Sequence, residues 1–425
     1  MSRRTGSGRT PRRPPGGVRR RSRGPSAEAE LAAIVQSFIG AIEGRIAGLA
    51  QTPDPLDAEL VASGVLAMWH GNNPLEREAR QALGRSVIRR LSAARDPDSL
   101  AFLVALAATA APPLVAEAAA AADRVRTAKV PEPIWSRSIG RPALVDAWIS
   151  TDEYEDQSLV AATFAYDRRP PHAITAIIDA NFHGLFRDMA VIGSPDKVRG
   201  EWGEHSGMSI GPLSEQALAD LWGRALENYD HTIEPPVTED GQSLVPLVRS
   251  RLRLLPAPRE IEMPEVPYEE RRALVAAFRV SPAAADLPEV DGAPIADLAR
   301  WFMDYACDYG AGDPLRWSPL AVELLLTDWL PRKAVMEPAE VEWLPEVLRR
   351  FVRHAGHQKG LPDDLVAETL EAVDRFAPDF AAGMADEEAA GPAKQLVLEM
   401  RRAGVDVTDE AAVGAFIDDW NARHS

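Results

Sequence analysis

Apolar side chains return every three or four positions along residues 31–49: Leu31, Ile34, Val35, Phe38, Ile42 and Ile46. That period marks a helix with one buried stripe. Asp54-Pro55 opens a second helix to about Trp69, and Gly71-Asn72-Asn73-Pro74 ends it. Helices over 74–94 and 97–110 follow. Pro112-Pro113 breaks the chain before an Ala-rich helix at 114–127, whose residues 118–122 read as a small-residue packing face. A helical domain is therefore expected over 28–128.

Past a linker at 129–135 the period changes to two. Residues 143–151, 158–167 and 172–179 are short, apolar and rich in β-branched and aromatic side chains, with turn-like segments between them. Connections this short permit only antiparallel neighbours. Residues 182–191 suit a helix or a further strand, and helices are expected near 213–229, capped by Ser214, and 242–254. After Pro256, Pro258, Pro264 and Pro267 the helical period returns, with helices near 294–308, 320–330, 338–355, 363–384, 390–403 and 408–421. Ser318-Pro319 starts the almost wholly apolar second of these, and Pro331 is expected to stop it. The fold class is α+β and mainly helical: a helical domain (28–128), a central α+β domain with a small antiparallel meander (136–254) and an acidic C-terminal helical domain (268–425).

Charge adds a fourth region. Residues 1–27 carry nine Arg and no acid, with little to bury, and are expected to be a disordered tail. The chain as a whole is −17, and residues 261–425 hold 32 acids against 16 bases. Such a body repels nucleic acid and anionic lipid; only the tail would attract phosphates, non-specifically and salt-sensitively. Only five of the 47 basic residues are Lys, which with the abundant Ala, Gly and Pro reads as a GC-rich bacterial genome. Cys307 is the lone cysteine, in keeping with a reducing cytoplasm. The longest uncharged run, 99–116, is too short for a membrane span, and no membrane association is expected.

The chemistry-bearing candidates are few. Gly207-Met208-Ser209-Ile210-Gly211 fits the pattern of a nucleophile elbow, which needs a buried strand before Ser209. Residues 199–206 are polar with two glycines, so a Gly loop is favoured there. Asp179, Asn181 and His183 follow an apolar strand at spacing two and, with Asp188, offer a metal or acid–base site if the backbone stays extended. The competing reading is a strand end whose Asp and Asn bond their own turn. A calcium loop fails because residue 190 is Ala. His172, seven residues before Asp179 on the same strand, lies roughly 23 Å away on the opposite face. The acidic turn 152–156 reads as solvated. His354 and His357 lie near an expected helix end, where the dipole accounts for them. Cys307 is expected at the edge of the core.

Phosphate-loop, dinucleotide, His-Glu-x-x-His and paired Cys-x-x-Cys patterns are all missing from the sequence. No cofactor and no metal are expected. The first expectation for function is a non-catalytic interaction or regulatory protein with a protein partner. The alternatives are a hydrolase or metal-dependent enzyme using Asp179, His183, Asp188 or Ser209, and nucleic-acid association through the Arg-rich tail.

Overall fold

The computed structural model describes residues 27–68, 74–204, 208–259, 265–290, 292–406 and 409–424. The Arg-rich tail thus lies outside the described residues, apart from Ala27. The chain divides into two compact units, Met1–Ala47 and Gly48–Ser425. In the first, α1 (Ala27–Ile46) buries Ile39, Ile42 and Ile46 at helical spacing.

The second unit begins with α2 (Pro55–Met68), α3 (Pro74–Ala94), α4 (Pro97–Thr109) and α5 (Leu114–Thr127). Asp96 caps α4 by accepting from the Ser99 amide at 2.9 Å, and Pro97 occupies the first helical position, where a missing N–H costs nothing. Every residue from Ser99 to Leu106 is buried, which makes α4 the central helix of this group. The segment leading to the sheet is packed as well. Trp135 is buried and donates its ring N–H to the Thr52 carbonyl at 2.9 Å.

Strands β1 (Ala143–Asp152), β2 (Gln157–Ala165), β3 (His172–Asp179) and β4 (Leu185–Ile192) form an antiparallel meander. After α6 (Pro195–Glu204), β5 (Met208–Pro212) pairs antiparallel with β1, giving the order β4-β3-β2-β1-β5. Helices α7 (Glu215–His231) and α8 (Glu239–Leu252) cover one face of the sheet. Val160, Phe164, Ile174 and Phe186 meet Leu218, Trp222 and Val248 there, and Leu56 and Leu60 of α2 join the same core. Positions one residue out of step point the other way: Trp148 and Ala161 pack against Val198 of α6.

Pro246 sits inside α8. Proline cannot donate and crowds the carbonyl one turn back, so the ladder opens around it. Ser63 of α2 fills the opening. Its buried hydroxyl donates to the Ser243 carbonyl (2.7 Å) and accepts from the Leu247 amide (3.0 Å).

The remaining elements are α9 (Tyr268–Arg279), a two-residue hairpin of β6 (Glu289–Val290) and β7 (Ala293–Pro294), α10 (Ala299–Asp308), α11 (Pro319–Glu323), α12 (Leu330–Lys333), α13 (Pro338–Lys359), α14 (Asp363–Ala385), α15 (Pro392–Arg402) and α16 (Glu410–His424). Their core centres on Phe351, whose ring meets Phe278 at 5.2 Å and Trp317 at 6.1 Å. Helix α9 was not read from the sequence. The stop expected at Pro331 is also corrected. Residues Leu324–Trp329 widen into a π turn, and the helix then runs through Pro331 to Lys333. A wider turn re-registers the backbone so that a residue without an N–H can be carried. The carbonyls left over at this end are met by α15 and its cap: Lys394 Nζ reaches the Pro331 carbonyl at 2.7 Å, and the Gly391 amide reaches that of Arg332 at 3.0 Å.

Ser63→Ala removes both bonds at the α8 opening, leaving the Leu247 amide without its acceptor. The expected loss is about 1–3 kcal/mol, read from urea denaturation of the variant against the parent.

Candidate functional site

The sequence-derived candidates occupy separate places. Asp179 ends β3. It is buried, and its carboxylate accepts from the Asn181 amide (3.0 Å) and Gln157 Nε2 (3.2 Å), with Arg187 Nε at 3.8 Å. The backbone does not stay extended past it. Residues 180–182 form a 3₁₀ turn, and His183 is left-handed at φ 57°. His183 therefore leaves the line of Asp179 and is exposed, while its carbonyl accepts from Asn228 Nδ2. Asp188 on β4 is half-buried and holds the Met189 amide (2.8 Å) and the Thr238 hydroxyl. Ser209 lies within β5 opposite Thr151, exposed, and α7 begins only after the Ser214 cap. An elbow serine sits on the turn between strand and helix; Ser209 lies inside a strand instead, and that strand also replaces the Gly loop expected there. Its strand forms on the edge of β1, where pairing decides the conformation over local composition. Among the described residues no three His, Cys, Asp or Glu side chains are grouped to hold a metal ion.

The acidic turn is not the solvated loop expected. Asp156 is buried, and Arg316, 160 residues later, reaches into it. One guanidinium nitrogen of Arg316 donates to the Glu155 carbonyl at 2.6 Å. The other lies 3.2 Å from both Asp156 Oδ1 and Asn181 Oδ1. Asn181 Nδ2 completes the ring on Asp156 at 2.8 Å. The Tyr154 hydroxyl sits 2.9 Å from the Leu365 carbonyl and 2.8 Å from Glu368. These contacts fasten the turn end of the sheet to the C-terminal helices. Burial pushes both the Asp156 and Asp179 carboxyls above their ordinary range. Burial likewise raises the Cys307 thiol, to about 11, with the nearby Asp308 and Asp304 adding to it, which argues against a thiolate nucleophile.

A second polar group is wholly internal. Glu59 on α2 and Arg251 on α8 are both shut off from solvent and paired through Oε2, which also accepts from the Tyr166 hydroxyl. Glu59 Oε1 takes the Gly140 amide at 2.8 Å. The His172 ring stacks on Tyr166 (5.8 Å) and Phe164 (6.3 Å). Burial, with the Arg251 charge adding to it, holds the His172 imidazole down at about 4. Its Nε2 has no hydrogen-bond partner among the described residues. For Arg251 burial works against the charge, but Glu59 and Tyr166 more than offset it, and the guanidinium stays protonated.

Beside this group opens a cleft of about 1010 Å³ between α7, the end of α8 and the segment that follows it. Gly223 makes room for that segment, since a Cβ there would stand 2.6 Å from Pro258. Arg224, Arg249, Arg253 and Arg259 line the cleft together with Leu226, Leu252 and Leu255; Glu227 and Asp230 are its acids. Arg259 is held by Asp220 and Arg249 by Asp230, while Arg249 Nε is buried with no hydrogen-bond partner among the described residues. Arg253 reaches the Ala108 carbonyl at 2.9 Å and has no carboxylate partner among the described residues. Burial and the neighbouring Arg251 charge lower its pKa. Sequence reasoning did not single out these arginines, because a basic run at a helix C-terminus reads as an answer to the helix dipole. Arg249, Arg251 and Arg253 alternate in sequence, but one is buried and two line a cleft, and only the packing separates those roles.

No protein-family model matches this chain, and comparison with curated proteins and with solved structures yields no match.

Two outcomes are expected of the internal group. Glu59→Gln leaves Arg251 buried without its counter-charge and costs about 3–5 kcal/mol, measurable by chemical denaturation. His172 takes its proton near 6.5 when unfolded and only at about 4 when folded. Between those values the unfolded chain holds the extra proton, so this contribution to stability is complete above pH 6.5 and falls on acidification by up to about 1.4 kcal/mol per pH unit. His172→Phe flattens that slope, and the difference between parent and variant denaturation curves across the interval isolates it.

Proposed function

We propose that the protein is a non-catalytic interaction protein, and that the α7–α8 cleft receives an acidic, leucine-containing segment of a partner protein. The observation that carries this reading is the pairing of apolar and guanidinium groups in one concave surface. Leu226, Leu252 and Leu255 offer an apolar floor, while Arg253 lacks a carboxylate partner among the described residues. Guanidinium groups match carboxylates bidentately, and a helix or extended segment with apolar anchors and flanking acids complements both features. The chemistry-bearing side chains give further support. Asp156, Asp179, Glu59 and Arg251 hold elements together, and His183, Asp188 and Ser209 bond or face elsewhere.

The test is an array of short acidic, leucine-containing peptides, with fluorescence anisotropy of the best binder. Arg253→Gln keeps a donor for the Ala108 carbonyl and removes the charge. It is expected to weaken binding about tenfold or more while melting like the parent, and added salt should weaken the parent's binding. An array on which no acidic peptide binds, or binding indifferent to Arg253→Gln, overturns the proposal.

A further inference from the structure

A second concave surface lies far along the chain, on the C-terminal half of α13. It is a groove of about 700 Å³, within the usual range for small-molecule sites. One wall is uncharged, formed by Pro282 and Ala283 after α9; the other presents Arg349, Arg350, Arg353 and His357. Their arrangement on the helix is unusual. Residues three and four apart are neighbours on a helix surface, and like charges placed so repel. Arg353 has Arg349 and Arg350 one turn before it and His357 one turn after, with no acid at any of these positions.

Neighbouring acids answer only part of this charge. Glu346 binds Arg349 and Arg350, and Asp374 binds Arg349 as well. Arg350 also donates to the Ala283 carbonyl at 3.3 Å. Arg353 and His357 are exposed and have no hydrogen-bond or ion-pair partner among the described residues. The helix dipole does not account for Arg353. Its influence is confined to the last turn, and Arg353 precedes the Gly360 cap by about two turns.

We infer that this groove binds a phosphate monoester, with Arg353 and His357 as its principal contacts and Arg350 positioned beside them. The unpaired Arg353 guanidinium and the His357 imidazole, with Arg350 beside them, present more donors than the two oxygens of a carboxylate can use, whereas a phosphoryl group carries three terminal oxygens and a second charge. The setting favours a compact anion over a polymer. Residues 261–425 are net −16, a balance that disfavours a long polyanion. This inference goes beyond the peptide cleft, shares no residue with it, and stands or falls separately.

The test is isothermal titration of the full chain with inorganic phosphate and with phenyl phosphate at constant ionic strength. Saturable binding of both is expected, weakened about tenfold or more by Arg353→Gln and by His357→Gln. Arg332→Gln, which removes an equal charge from an exposed pair with Asp328 outside the groove, is expected to leave affinity within about twofold. Three results overturn the inference: no saturable phosphate binding, an equal loss in the Arg332 and Arg353 variants, or acetate binding as tightly as phosphate.

Discussion

Glu59 and Arg251 carry opposite charges in a place that water does not reach, and neither is tolerable there without the other. The pair joins α2 to α8 across 192 residues. Tyr166, at the end of β2, and the Gly140 amide, ahead of β1, close around it. Four stretches of chain are therefore held in one relative position by the need to satisfy a single carboxylate. Gain in stability is not the main result, since an apolar set of similar shape would often do as well or better. The pair fixes which way α2 and α8 lie against the sheet, and hence where the cleft beyond Arg251 opens.

The same residue type does the tying elsewhere. Arg316 gathers a backbone carbonyl, a carboxylate and an amide oxygen from two turns of the sheet. Arg271 is forked onto Asp308 between α9 and α10. A planar guanidinium can satisfy several acceptors at once with little loss of freedom per bond, so a chain poor in lysine is well supplied for joints of this kind. An arginine not used as a joint then stands out, as Arg353 does.

Much of the architecture was legible because it is local. The helices at 74–94 and 114–127, the first three strands and the Ser214 cap follow from periodicity, proline positions and turn residues a few places apart. What escaped depends on distant partners. β5 is a strand because β1 offers it an edge, and nothing in Ser209 or Gly211 announces that. Pro331 halts an ideal α-helix but not one that has widened a turn earlier. The candidate acids were legible as residue types and not as a site. Asp179 and Asn181 do share a turn, whereas His183 is swung away by a left-handed backbone that spacing alone could not reveal. The acidic turn looked solvated because the arginine that buries it is 160 residues away.

The order of the strands has one more outcome. β5 runs for five residues only and closes on Pro212, which has no N–H to offer a newcomer. By lying against β1 from Trp148 to Asp152 it occupies hydrogen-bonding groups along half of that ten-residue strand, beside the buried Trp148. A long ladder-ready margin is the commonest starting point for unwanted chain-to-chain stacking. The closing strand shortens that margin, and Pro212 withholds a donor at its own end.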